Sequence, residues 1–287
     1  MVKEYTVSHS PLHRIAAAVL AVGLVLTACG KSDSGSSNPP SAQPGVPNIK
    51  TVKAGKITTC TSLEYPPFQF NEGGKVVGFD VDVIDLVAKK MGVEQSILDV
   101  KFDLIKSGAS LNSGSCDVAA AGMTITDERK ANLDFSNPYF PETLVLISKK
   151  GSGLKTVEDV KSKNLKLGVQ TGTTSLDYAK SKGLSATEYD DAGKQLLALQ
   201  SNQVDAAFQD LPTVNSWLKK SEVAAAFEKG DEVTNGDQYG FAVKKGGNPE
   251  LLKLINDTLT AAIKDGTWAK IYKQWIGSDP KQLPPVQ

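Results

Sequence analysis

Arg129 ends the segment Ala121-Gly122-Met123-Thr124-Ile125-Thr126-Asp127-Glu128-Arg129. Thr126 reads as a helix cap, which puts Arg129 in the first turn, where a cation opposes the helix dipole. A buried structural ion pair would explain it. The sharper reading is an anion grip, in which the helix start and the guanidinium together take a carboxylate, the guanidinium through two parallel hydrogen bonds. Gly122 lets backbone approach a ligand closely, and Thr124 adds a hydroxyl. Gln170-Thr171-Gly172-Thr173-Thr174-Ser175 reads as a strand-to-helix turn and offers backbone N–H groups and further hydroxyls. It serves equally as a plain helix cap. It lacks the Lys-Ser/Thr ending of a phosphate loop. Asp210 follows a strand over 204–209, and a carboxylate at such an end suits an ammonium. One anion grip, one cation grip and a few hydroxyls describe the zwitterion of a free amino acid. Tyr65-Pro66-Pro67-Phe68 adds aromatic surface on a rigid turn, with Tyr65 set to cover a ligand side chain.

The elements that must position these groups alternate. Strands are expected over 56–62, 118–121, 144–148, 165–169 and 204–209. Asp80 is expected to cap a helix whose apolar stripe is Ile84, Val87, Ala88 and Met91 and which Gly92 ends; Asp82 and Asp85 fall off that stripe, on a solvated face. Thr156 caps a short helix, helices follow from Thr174, over 194–201 and from Pro249, and a Trp268/Tyr272/Trp275 stripe reads as packing. This alternation predicts an α/β fold with mostly parallel sheets, too interrupted for a closed eightfold barrel. Leu111–Gly122 (LNSGSCDVAAAG) and Leu199–Asp210 (LQSNQVDAAFQD) echo each other: helix end, polar turn, Asp, strand of small residues. Two similar lobes would each present such a strand's C-terminal end to a shared cleft, where ligands bind in open α/β sheets; two unrelated αβ units would look much the same.

In 287 residues, 32 Lys plus Arg balance 32 Asp plus Glu, so no cationic excess is available for nucleic acid. Ile15–Leu26 is free of charge, but twelve helical residues reach only about 18 Å against roughly 30 Å of hydrocarbon. With Lys3 and Arg14 before it and small residues after it, residues 1–28 read as a signal peptide. Leu26-Thr27-Ala28-Cys29 resembles the lipobox of bacterial lipoproteins, which implies lipidation of Cys29 and anchoring in membrane lipid. Residues 29–48, mostly Ser, Pro and Gly, read as a flexible tether. His9 and His13 are the two histidines, both in the leader, so the mature chain has none. That excludes Ser-His-Asp and Cys-His catalysis, histidine metal sites and histidine pH switching. No metal and no cofactor is expected. Cys60 and Cys116 would fall late in one strand and at the start of a parallel one; the rise between them argues against a disulfide, although an exported chain favours one.

Tyr-Pro-Pro-Phe at 65–68, Gly-Phe-Asp-Val-Asp at 78–82, AGMTITDER at 121–129, DFSNPYF at 134–140, GTT at 172–174, AAFQD at 206–210 and GTWAKIYKQWIG at 266–277 together resemble the polar amino-acid family of bacterial extracellular solute-binding proteins that serve ABC importers, most of all glutamine-binding members. The likeness spans about residues 50–280. It implies a two-lobed, periplasmic-binding-protein-like (type II) α/β fold with the ligand cleft between lobes. Lobe 1 would comprise 49–140 with 239–281 and lobe 2 would comprise 141–238, joined by crossovers near 139–143 and 237–240. It implies that Arg129 binds the α-carboxylate with Thr173 and the Thr174 amide, that Asp210 binds the α-ammonium with Thr124 and the Gly122 carbonyl, and that Tyr65 packs on the ligand. Ser62 and Gln170 stand where glutamine-binding members place an acid and a lysine. These neutral residues point to a polar, uncharged ligand side chain, with Glu64 able to favour a cation if it faces inward. Phe102 corresponds to another lining aromatic. The implied partners are a free amino acid and the permease subunits of an ABC importer. The implied protein is a monomer, outside the cytoplasm and not an enzyme. An exported dehydratase-like enzyme and an amino-acid sensor on the same scaffold are the alternatives.

Overall fold

The computed structural model describes residues 49–286 and the backbone of a short strand, Glu4–Thr6. Residues 1–3 and 7–48, where the expected signal peptide, the lipidated Cys29 and the tether fall, lie outside the described residues.

Two mixed sheets carry the chain. In the first, Lys56–Thr61 is buried on both faces after its first residue, as a β-branched strand inside a parallel sheet should be. It runs parallel to Glu94–Asp99 on one side and Val118–Ala119 on the other. Ala242–Lys244 pairs antiparallel with Val118–Ala119, Leu133–Phe135 pairs antiparallel with Ala242–Lys244 at one edge, and Glu4–Thr6 pairs antiparallel with Glu94–Asp99 at the other. The second sheet is centred on Leu167–Gln170 and Ala206–Asp210, which run parallel, with Ala186–Tyr189 parallel at one edge. Leu144–Lys149 and Phe227–Val233 complete it antiparallel. Between the sheets Phe140–Pro141 pairs antiparallel with Gln238–Tyr239, a narrow ribbon where the chain passes from one body to the other. The echo segments both end in strands parallel to a neighbour in their own sheet, Val118–Ala119 beside Lys56–Thr61 and Ala206–Asp210 beside Leu167–Gln170.

Aromatic rings fill the space beside the ribbon. Phe68 meets Phe140 and Tyr239 at 5.0 and 5.4 Å between centroids, and Tyr139 stacks on Phe241 at 4.1 Å. Trp268 is fully buried against Phe79, so the C-terminal aromatic stripe is packing. That packing corrects the reading of Asp82 and Asp85. The helix Thr267–Ile276 lies over their side of the helix Phe79–Met91; Asp82 accepts from Trp275 Nε1 at 2.7 Å, and Asp85 is buried with Lys89 Nζ at 3.3 Å. Asp80 does not cap this helix. Gly78 does, at φ 137°, where any Cβ would run into the Phe68 carbonyl. The turn therefore closes on Gly78, and Asp80 is carried inward to full burial.

Cys60 and Cys116 form a disulfide with Cα atoms 5.6 Å apart, contrary to the expectation from strand rise. Cys60 pairs in register with Ala119, and a straight strand would leave about 10 Å back to Cys116. The strand begins only at Val118, however. The turn before it folds onto the sheet face, where both sulfurs share a cluster with Phe102, Ile105 and Leu111. The bridge closes a separation of 56 residues. Chain-entropy reasoning then predicts that replacing both cysteines by alanine lowers unfolding free energy by about 4 kcal/mol. Urea unfolding of oxidised wild type beside the double variant checks this.

Candidate functional site

The ends of both sheets meet at one cavity, lined by Ser62, Tyr65, Gln69, Phe102, Ala121, Gly122, Thr124, Arg129, Gln170, Thr173, Thr174 and Asp210. Every binding residue expected from the sequence lies in this wall. Gln69 and Ala121 were missed. Ala121 simply continues the strand into Gly122, whereas Gln69 follows Tyr-Pro-Pro-Phe and offers only a polar residue beside an aromatic turn as its signal. Glu64 does not line the cavity: its side chain turns outward and accepts from the Asn71 backbone N–H at 3.3 Å. Burial, ahead of the nearby Asp99 and Asp191 carboxylates, raises its carboxyl above the ordinary range.

Arg129 is positioned by the Thr126 cap, whose hydroxyl accepts from the Arg129 backbone N–H at 3.2 Å. The residue is 4% exposed. Its guanidinium donates to the Thr124 carbonyl at 2.7 Å and, across the cleft, to the Gly172 carbonyl at 3.1 Å, and it lies over the Phe102 ring at 5.3 Å. Among the described residues no carboxylate pairs directly with it, so it is not held as a structural ion pair. Burial pulls its pKa below the ordinary arginine value, opposed by the field of Glu142, Asp177 and Glu128.

On the facing wall the helix Thr174–Ser181 is capped by Thr173, whose hydroxyl accepts from the Leu176 N–H and gives its own proton to the Gln170 carbonyl at 2.8 Å. That proton is spent inside the turn. What this helix start offers a ligand is therefore backbone N–H, the groups a first turn leaves without intrahelical partners. Gly172, at φ +76°, packs so closely on the Asp103 carboxylate of the other lobe that a Cβ would collide with it. Asp210 caps the helix Leu211–Trp217 in position only and makes no capping bond. It is buried, and the Tyr239 hydroxyl faces it, a contact that works against the rise burial imposes on its carboxyl. Burial pushes Asp210 up to about 7.

Two further carboxylates stand behind the wall. Asp80 accepts from the Gly122 N–H at 2.8 Å and the Tyr139 hydroxyl at 2.7 Å, holding the Gly122 loop against the ribbon; burial pushes it to about 7 in spite of these bonds. Glu142, just past the ribbon strand Phe140–Pro141, accepts from Thr124 Oγ1 at 2.5 Å and Thr174 Oγ1 at 2.7 Å. No sequence signal marked Glu142. Among the described residues no cluster of His, Cys, Asp and Glu is arranged to hold a metal, and no helix is long and apolar enough to cross a membrane.

Two α/β bodies joined by a narrow ribbon, with a buried cation and a buried carboxylate in the wall of the cavity between them, define a two-lobed binding protein for a small dipolar solute. Residues 57–278 match the bacterial extracellular solute-binding proteins, family 3, and the chain belongs to that family. It is 32% identical over 258 residues to a "probable histidine-binding protein" of Campylobacter jejuni, covering 88% of this chain and 94% of that one. It is 34% identical over 235 residues to the L-cystine-binding protein TcyJ of Escherichia coli, covering 80% and 86%. Among solved structures, an ancestral arginine-binding protein bound to glutamine superposes with a TM-score of 0.72 at 40% identity, covering 78% of this chain and 99% of that one. The protein is thus an extracytoplasmic amino-acid-binding protein of the ABC import class.

Proposed function

We propose that this receptor binds a free amino acid with a polar, uncharged side chain and passes it to an ABC permease as a monomer held to the membrane by lipid on Cys29. The observation that carries the reading is the charge distribution of the cavity: Arg129 and Asp210 are the ionisable side chains of its wall apart from the Tyr65 phenol, and the remaining polar groups are neutral. Arg129 and the Thr174 helix start take the α-carboxylate. Asp210, with Thr124 and the Gly122 carbonyl, takes the α-ammonium, and Tyr65 and Phe102 flank the side chain. Ser62, Gln69 and Gln170 remain for the side chain's far end. The Gln69 amide N–H donates to the Ser62 carbonyl at 3.2 Å, which leaves its buried Oε1 as an unpartnered acceptor. An acceptor there suits an N–H of a ligand amide. A cationic side chain would lose its hydration without gaining a carboxylate.

A thermal-shift screen of the twenty amino acids tests this. At a hundredfold excess over Kd, mass action adds about 2.7 kcal/mol, or roughly 5–10 °C in Tm. Glutamine, asparagine and other neutral polar amino acids are expected to give the largest shifts. If arginine or histidine leads, the side-chain assignment falls; if no amino acid shifts the melting, the receptor reading falls with it.

A further inference from the structure

We infer that Glu142 is a positioning residue of the binding site, fixing the Thr124 hydroxyl as an acceptor for the ligand's ammonium. The inference rests on the amino-acid receptor reading above.

A hydroxyl has one proton and two lone pairs. Thr124 Oγ1 gives that proton to Glu142 Oε1 at 2.5 Å, so toward the cavity that Thr124 lines the oxygen can only accept. An ammonium, with three donors and no acceptor, is the group such an oxygen recognises. Thr174, from the other lobe, gives its proton to the same Oε1 at 2.7 Å. Its hydroxyl is thereby withdrawn as a donor, and backbone N–H is left to meet the carboxylate. One carboxylate oxygen thus sets the hydrogen-bond polarity of two wall residues. Thr124 belongs to the first sheet's loop and Thr174 to the second sheet's helix, so this one oxygen joins hydroxyls from the two sides of the cavity.

Glu142 is 1% exposed, and its Oε2 has no partner. A buried carboxylate so placed costs stability unless something offsets it. The charged and titratable groups around it are Arg129 from the first lobe, whose field favours its ionised form, Asp237 on the returning crossover, which opposes it, and Tyr239 of the ribbon. Arg129 therefore has two calls on its charge, the ligand's carboxylate and the carboxylate behind Thr124.

The test compares wild type, Glu142→Ala, Glu142→Gln, Thr124→Val and the double variant Thr124→Val/Glu142→Ala by calorimetry. The two ligands are the tightest-binding amino acid and its des-amino analogue, the same carboxylic acid without the ammonium. A charge-assisted hydrogen bond is worth roughly tenfold in affinity. Wild type is expected to prefer the amino acid, and Glu142→Ala to shrink that preference about tenfold, because Thr124 is then free to turn its proton toward the ligand. A variant that merely loosened the fold would weaken both ligands equally and leave the ratio alone. Glu142→Gln keeps the shape and an oxygen acceptor, so it is expected to retain most of the preference; should the alanine variant not fold, Glu142→Leu, which fills the space without an acceptor, is expected to shrink the preference in its place, and an unchanged ratio there overturns the inference. Adding Glu142→Ala to Thr124→Val is expected to leave the ratio unchanged. If Glu142→Ala keeps the wild-type ratio, or if the two changes multiply, Glu142 acts elsewhere and the inference is overturned. If wild type binds no amino acid at all, it is the parent reading that has failed.

Discussion

Arg129→Ala is expected to weaken amino-acid binding by at least a hundredfold, about 3 kcal/mol, while changing the stability of the ligand-free protein little. Both halves follow from burial. The guanidinium is held by two carbonyls and an aromatic face rather than by an opposing carboxylate in contact. Its desolvation is therefore offset only in part, and burial has already lowered its pKa. The missing partner is the ligand's carboxylate, and truncating one side of such a desolvated pair costs roughly 2–5 kcal/mol. Without the ligand, relief of an incompletely compensated buried cation offsets the loss of its two carbonyl hydrogen bonds and of its field on Glu142, so the free protein changes little in stability. Arg129→Lys keeps the charge but loses the planar fork and the stacking on Phe102, so it should fall between the two. Calorimetry gives the affinities and thermal melts without ligand give the stabilities. Tight binding by Arg129→Ala would show that the carboxylate is held somewhere else.

How far sequence reading reached depends on how local each cause is. Thr126, Thr156 and Thr173 cap helices where their spacing placed them, because a cap is decided within a few residues. The five expected strands appear with ends displaced by a residue or two, whereas Glu94–Asp99, Ala186–Tyr189 and Phe227–Val233 were not anticipated. The echo between Leu111–Gly122 and Leu199–Asp210 was legible because both copies are built by the same helix, turn and strand. The candidate site was legible for a different reason: its residues sit at the C-terminal ends of strands, and the α/β arrangement itself brings those ends together. What failed needed a path in three dimensions. The gap between Cys60 and Cys116 is set by a turn that leaves the strand axis. Asp80 satisfies every local rule for a cap, yet the crowding of Gly78 against Phe68 moves the cap back and turns the aspartate into the core. Glu142 follows a proline in the segment Phe140-Pro141-Glu142-Thr143, where a glutamate reads as surface. Only the ribbon puts it between hydroxyls from two distant parts of the chain. Cys60, Asp80 and Glu142 are all buried, so tertiary position rather than propensity governs them.

Burial raises Asp210 to about 7, and this has a consequence for binding that runs opposite to its consequence for folding. The ligand's ammonium pairs with the ionised carboxylate. Above pH 7 that form already prevails, and affinity should be flat. Below it, a proton must leave before the ammonium can bind, so each pH unit costs about tenfold, and affinity at pH 5 is expected to be on the order of a hundredfold weaker than at pH 8. Folding linkage has the other sign. For an acid whose folded pKa lies above its unfolded value of 3.8, the folded state holds the extra proton, so stability from this group is lost as pH rises through the interval from about 4 to 7 and is regained on acidification. Asp80, also pushed to about 7, adds to this in the same direction without touching the ligand. Between pH 8 and 5 the free protein should therefore hold or gain stability while it loses its ligand. Asp210→Asn separates the two effects. It should weaken binding by about a hundredfold at pH 8, since a neutral amide replaces the ammonium's counter-charge, and it should remove most of the pH slope, leaving only what Glu142 contributes. Calorimetric titrations of both proteins from pH 5 to 8, with melts of the free forms alongside, would decide it. A wild-type affinity that does not change across that range would mean that Asp210 is not the ammonium's partner.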